Sequence, residues 1–182
     1  NNYVQFANKC WRIVRINGND SVKIVLHNDN TSNVTNPCAA ANNNPEAAFA
    51  HYDGSTYEST FNSNNTDNTY MGFMYGTAGA SSYASAHANT NKSEALTNLE
   101  TWYKNNMTSY TNKLADTIWC NDKSMTSGNL GYGTNSTNYG AYNRLITSKT
   151  PSLKCPNDSN GGKLSKFTVS DTTNGNGALT YK

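Results

Sequence analysis

The chain has 182 residues, enough for one sizeable hydrophobic core. Only 14% of them are charged, whereas asparagine alone supplies roughly one residue in six, so polarity comes from amides and hydroxyls rather than from charge. A formal net charge of +2 with no run of Lys and Arg speaks against a nucleic-acid partner, and 12 tyrosines within an aromatic content of 11% speak against a charge-extended disordered chain.

The opening stretch predicts a three-strand antiparallel meander over residues 3–27. Val4 and Phe6 alternate with polar neighbours, Asn8-Lys9 turns, Cys10 to Ile16 forms a second strand, Asn17-Gly18-Asn19-Asp20 turns again, and Val22, Ile24 and Leu26 alternate with period two. The second strand is expected to be central and covered on both sides, because Trp11 and Ile13 fall on one face and Val14 and Ile16 on the other. Strict alternation also puts Arg12 and Arg15 on opposite faces. A guanidinium on such a strand is normally accommodated by its stem lying over apolar neighbours or by a carboxylate; anion recognition is the alternative.

Residues 28–69 read as a long polar loop rich in Asn, Thr, Ser, Asp and Pro, with a short helical piece expected at Pro45-Glu46-Ala47-Ala48-Phe49. Tyr70, Phe73 and Tyr75, set around Gly72 and Gly76, suggest a short aromatic strand or corner. A helix is expected over about 92–106: Leu96, Leu99, Trp102 and Tyr103 recur at helical spacing, and Asn91 followed by Glu94 has capping-box spacing. This helix is the natural lid for the meander. The part from 107 to 182 is loop-rich, with strand candidates at Thr117 to Cys120, at Phe167 to Val169 and at Ala178 to Tyr181. The last of these stops abruptly at Lys182, which suggests a longer parent chain. No apolar run approaches the ~20 residues that cross a bilayer, so no transmembrane segment is expected in this stretch. The fold class that follows is α+β, a single domain 1–182 with an antiparallel meander packed on one main helix.

Cys10, Cys38, Cys120 and Cys155 are even in number and widely spaced, with no CxxC pair, which favours two disulfides in an oxidising compartment over a zinc site. Of three connectivities, Cys10 to Cys38 with Cys120 to Cys155 is the most local. Sulfurs already bonded leave no thiolate for a Cys/His nucleophilic pair with His27, His51 or His87, and no GxSxG elbow marks a serine nucleophile. Glycoside hydrolysis would need two carboxylates flanking a cleft; Glu46, Glu58, Glu94 and Glu100 are the glutamates, and the helix accounts for the last two. Asp29, Asp53, Asp67, Asp122 and Asp158 lie in Asn/Ser/Gly-rich loops, where Ca²⁺ is the metal to weigh, but none has EF-hand spacing and lone loop aspartates are usually turn formers, so no metal or cofactor is expected. Glycines 128, 131, 133 and 140 lack the spacing of a phosphate cradle. The sequons Asn33-Val34-Thr35 and Asn135-Ser136-Thr137 are expected by chance in so Asn-, Ser- and Thr-rich a chain.

Several segments carry a resemblance: Tyr3-Val4-x-Phe6 with Trp11-Arg12-Ile13-Val14-Arg15-Ile16 and Ser21-Val22-Lys23-Ile24; Tyr70-Met71-Gly72-Phe73-Met74-Tyr75-Gly76; Trp102-Tyr103; Cys120-Asn121-Asp122; and Asn176-Gly177-Ala178-Leu179-Thr180-Tyr181. Over nearly its whole length the chain resembles a family of secreted or surface-displayed proteins of Gram-positive, often gut-dwelling, bacteria. Longer members continue into a strand-rich segment similar to the C-type-lectin and sulfatase-modifying-factor superfamily. The resemblance implies an extracellular location and a C-type-lectin-like fold, and it carries over no catalytic residue. The resemblance says almost nothing of function; the paired cysteines and the Tyr- and Asn-rich loops lead to the expectation of a non-enzymatic extracellular surface module for adhesion, binding a glycan or a host or cell-surface protein. Tyr faces would stack on sugars, and amides would meet their hydroxyls. A self-assembling subunit of a pilus-like appendage and a cell-wall or glycan hydrolase are the alternatives.

Overall fold

The computed structural model describes residues 2–42, 59–115, 119–121, 123–126, 130–151 and 165–167. It is a mixed α+β protein, and the three sheets among the described residues are antiparallel. The chain divides into two compact units, one of Asn1–Ser59 with Thr101–Ala115 and the other of Thr60–Glu100 with Asp116–Lys182.

The first unit holds the meander, β1 (Tyr3–Phe6), β2 (Lys9–Ile16) and β3 (Val22–Asn28), in the order β1-β2-β3. The central place expected for the second strand is what the structure shows. The first turn falls on Ala7-Asn8 rather than Asn8-Lys9: both residues have positive φ, 51° and 58°, and Phe6 pairs with Lys9 to close a two-residue hairpin. That shift turns Lys9 into the first residue of β2 and points it inward, where it is buried.

One face of the meander packs on a cluster of Ala7, Trp11, Trp102, Tyr103 and Met107, with Phe6, Ile24, Leu26, Tyr110 and Leu114 around it. Trp102 and Tyr103 come from the helix α2 (Glu94–Asn106), and Trp102 meets Trp11 edge-on at 6.2 Å. The helix was expected with Asn91 as its cap. Instead Asn91 and Lys92 form a short strand, β5, paired with β4 (Met74–Tyr75), and the Ser93 Oγ accepts from the Leu96 N–H at 3.0 Å. Once the Asn91 backbone is committed to Tyr75, Ser93 is the first residue free to cap. Leu99, read as part of the apolar stripe, is 42% exposed.

Cover on both faces of β2 is not what the structure shows, since Arg12 and Arg15 on the outer face are exposed and Val14 is 64% exposed. The register slips between Ile13 and Arg15, so Val14 is an extra residue bulged out of the ladder. Alternation resumes one step out of phase. Arg12 lies opposite Val25 and Arg15 opposite Lys23, which brings both arginines to the same face and corrects the opposite-face reading.

The polar segment after β3 is held by buried amides. Asn28 donates to the carbonyls of Pro37 (3.0 Å) and Asn42 (2.9 Å) and accepts from the Asn30 N–H at 2.7 Å; Asn30 in turn donates to Asn8 O and Val34 O. A Cys10–Cys38 disulfide, Cα–Cα 5.0 Å, ties the same segment to β2. The Cys155 position and the Cys120 side chain lie outside the described residues, as do His51, Glu46, Glu58, Asp53, Asp122, Asp158 and the helical piece expected at 45–49.

In the second unit β4 and β5 sit with a short helix α1 (Tyr83–Ala86) over a core of Met74, Tyr83, Ala86 and Leu96. Gly76 leaves no room for a Cβ, which would strike the Ser85 carbonyl oxygen. The buried Lys123 donates to Met74 O and, at 2.7 Å, to Asn89 Oδ1. Two expected strands appear: β6 (Trp119–Asn121), at the place read as Thr117 to Cys120, pairs with β7 (Ser165–Phe167), whose last residue is the first of the stretch read as Phe167 to Val169.

Two stability measurements follow. Removing the Cys10–Cys38 crosslink, with a sequence separation of 28, should cost about 3 to 4 kcal/mol in urea unfolding of the Cys10→Ala/Cys38→Ala variant. Asp29→Ala, which strands the buried Lys9 ammonium, should cost about 3 to 5 kcal/mol, and Lys9→Met with Asp29→Leu should recover most of it.

Candidate functional site

In the second unit a local sequence of Asn, Thr and Asp builds the wall of a cleft. The Asn64 Oδ1 accepts from the Thr66 N–H (2.8 Å) and hydroxyl (2.9 Å), closing an Asx turn. Asp67 then caps a 3-10 turn, Asn68–Tyr70: its Oδ1 accepts from the Thr69 N–H at 2.9 Å, and its Oδ2 from the Gly79 N–H at 2.8 Å. Asn62 fixes the far end by donating to Tyr70 O at 2.6 Å.

The opposite wall is brought in by Asn68. Its side-chain amide donates to Gly133 O (2.8 Å) and Asn135 O (2.6 Å), and its backbone N–H also reaches Gly133 O. Gly133 has φ +59, a conformation that accommodates this approach without Cβ strain. Tyr139 is held by a β-bridge to Met125 and by the Gly140 N–H to Ser124 O bond; its hydroxyl lies 3.3 Å from Asn68 Oδ1. Behind it the buried His87 meets the Tyr139 ring edge-on at 6.2 Å and packs on Tyr83 at 4.5 Å, with Nε2 2.7 Å from Gly131 O.

The result is a cleft of about 260 Å³ lined by Asn64 to Asn68, Tyr70, Met71, Asn135 and Tyr139. The Tyr70 ring is steadied by Tyr75 at 4.8 Å. Asn65 is exposed and has no intramolecular hydrogen bond among the described residues. Burial alone would raise the Asp67 carboxyl, but hydrogen bonds from the Thr69 and Gly79 backbone and from the Thr69 hydroxyl, helped by His87, outweigh it and hold the pKa below the ordinary 3.8. Burial, together with the Asp67 charge, pushes the Tyr139 phenol up to about 12. The cleft thus offers a carboxylate, a neutral phenol, and several amides able to donate and accept.

The other candidates take structural places. Cys10 and Cys38 are joined, so neither is a nucleophile. His27 packs on Tyr3 at 4.5 Å. Glu94 sits exposed in the first turn of α2, and Glu100 pairs with Lys92 at 2.6 Å. Asp29 pairs with Lys9 at 2.6 Å and accepts from the Trp102 Nε1–H at 3.2 Å. Among the described residues no three His, Cys, Asp or Glu side chains gather as a metal centre, and both Asp67 oxygens already receive backbone N–H groups. Of the acids, histidines and cysteines weighed in sequence for catalysis or metal binding, Asp67 is the one among the described residues that lines the cleft; Tyr70, read there only as part of an aromatic strand or corner, lines it too. Asn68 and Tyr139, 71 positions apart, had no sequence signal joining them.

These pKa shifts fix two pH limbs. Asp67, lowered on folding, contributes stability above its ordinary pKa that is lost as pH falls through the folded value. Tyr139, raised to about 12, contributes stability below its ordinary 10.0 that is lost as pH rises toward 12. Urea midpoints measured across pH should show a shallower acid limb in Asp67→Asn and a shallower alkaline limb in Tyr139→Phe; unchanged limbs would refute the assignment. In comparisons with protein-family models, curated proteins and solved structures the chain finds no match, and the geometry alone carries the functional reading.

Proposed function

We propose that the protein is a non-enzymatic extracellular surface module that binds a neutral glycan unit in the cleft around Asp67 and Asn68. The observation carrying this reading is the lining itself: amides, a carboxylate and a phenol with Tyr70 beside them, in a space of about 260 Å³. Sugar hydroxyls both donate and accept, and side-chain amides answer them in kind, while an aromatic ring supplies an apolar face for the sugar's C–H surface. The space falls just under the ~300 Å³ lower bound of ordinary small-molecule pockets, which suits one sugar residue or the end of a chain.

The Cys10–Cys38 bond supports an oxidising, extracellular location. The antiparallel sheet with a packed helix accords with a C-type-lectin-like architecture, which belongs to the same reading. Against hydrolysis, Glu94 and Glu100 are a solvated helix residue and a lysine partner, with no role in the cleft.

A glycan-array screen of the intact protein, followed by titration calorimetry with the best sugar, tests the proposal. Tyr70→Ala and Asn65→Ala should each weaken binding, the former about tenfold. Silence across neutral glycans, or affinity indifferent to both substitutions, would sink it.

A further inference from the structure

The outer face of the meander carries two exposed arginines, Arg12 and Arg15. The bulge at Val14 brings Arg12 and Arg15 to one face, where Arg15 lies directly opposite Lys23. β1, β2 and β3 themselves contain no Asp or Glu to pair with the two arginines. Arg15 is exposed and has no ion pair or hydrogen bond among the described residues. Arg12, also exposed, is held in place without being neutralised: its Nη2 donates to the Tyr3 hydroxyl at 3.1 Å, and its guanidinium carbon lies 5.5 Å from the Tyr3 ring centroid.

Tyr3 packs in turn against His27, so Arg12, Tyr3 and His27 form a connected row across the three strands. Val25, 51% exposed, lies beside Arg12 in register. The surface is therefore a basic strip in which Arg12 is preset by Tyr3 and Arg15 is free to reach, and it offers forked donors suited to carboxylate or sulfate groups.

We propose that this face docks an anionic polysaccharide, with Arg12 and Arg15 gripping successive acid groups. Charge complementarity argues for the polyanion, and the engagement of Tyr3 by both Arg12 and His27 argues against a nucleic acid, since single strands are held by aromatic rings free to stack on bases. This face shares no residue with the cleft of the second unit and stands whether or not that cleft binds sugar.

The test titrates the intact protein with heparin and with polygalacturonate, using dextran as the neutral control, at low and at raised salt. Wild type should bind an acidic polymer, ignore dextran and weaken as salt rises. Arg12→Gln and Arg15→Gln should each lower affinity about fivefold, and the double variant by about the product, with thermal midpoints unchanged because both side chains are exposed. Tyr70→Ala should leave this binding intact. Failure to bind either acidic polymer, binding undiminished in the double variant, or tighter binding to phosphatidylserine vesicles or single-stranded DNA would each overturn the proposal.

Discussion

The first unit depends on the buried pair of Lys9 and Asp29. Its ammonium lies 2.6 Å from the Asp29 carboxylate and donates to the Asp29 carbonyl at 2.8 Å, while the Trp102 indole N–H meets the other carboxylate oxygen and the ammonium lies 5.6 Å from the Trp102 ring centroid. Four elements converge there: the first hairpin, the start of β2, the segment after β3 and the last turns of α2. Such a pair adds little net stability over an apolar replacement, but it tolerates only one arrangement, because moving either partner strands a charge in a low-dielectric interior. We read it as the feature that sets the hairpin register, since a turn one residue later would point Lys9 away from the core.

Around that pair the asparagines act as substitutes for backbone partners. A long polar segment near a core leaves N–H and C=O groups that neither helix nor sheet satisfies, and each such group left unpaired costs about 1 to 3 kcal/mol. Asn28 and Asn30 answer several of them at once and join Asn8, Val34, Pro37 and Asn42. Several positive-φ positions, Asn8, Asn30, Asn33 and Asn89, are also asparagines, the non-glycine residue that enters this region at low cost. The same device recurs in the second unit, where Asn62, Asn68 and Asn91 each donate to a main-chain carbonyl. The unusual composition is thus architectural first.

The two proposed surfaces use opposite physics. The cleft is built from neutral amides and phenols around one carboxylate whose charge is held by backbone N–H groups, so it favours hydroxyl-rich ligands and disfavours anions. The outer face of the meander is permanently cationic and without an acid in its strands, so it favours polyanions and answers to salt.

Much of the architecture was legible in sequence. Alternation in residues 3–26 identified three antiparallel strands and the central one, helical spacing located α2 within two residues, and cysteine parity pointed to disulfides, of which Cys10–Cys38 is in place. These features are local, and period and spacing encode them. Three things were decided only by tertiary structure. The bulge at Val14 reassigned Arg15 to the face of Arg12, because pairing register depends on the partner strand and not on alternation within one. Ser93 displaced Asn91 as the cap of α2, because β4 claimed the Asn91 backbone first. The cleft joins Asn68 to Tyr139 across 71 positions through hydrogen bonds between loops, and no periodicity records which loops will meet.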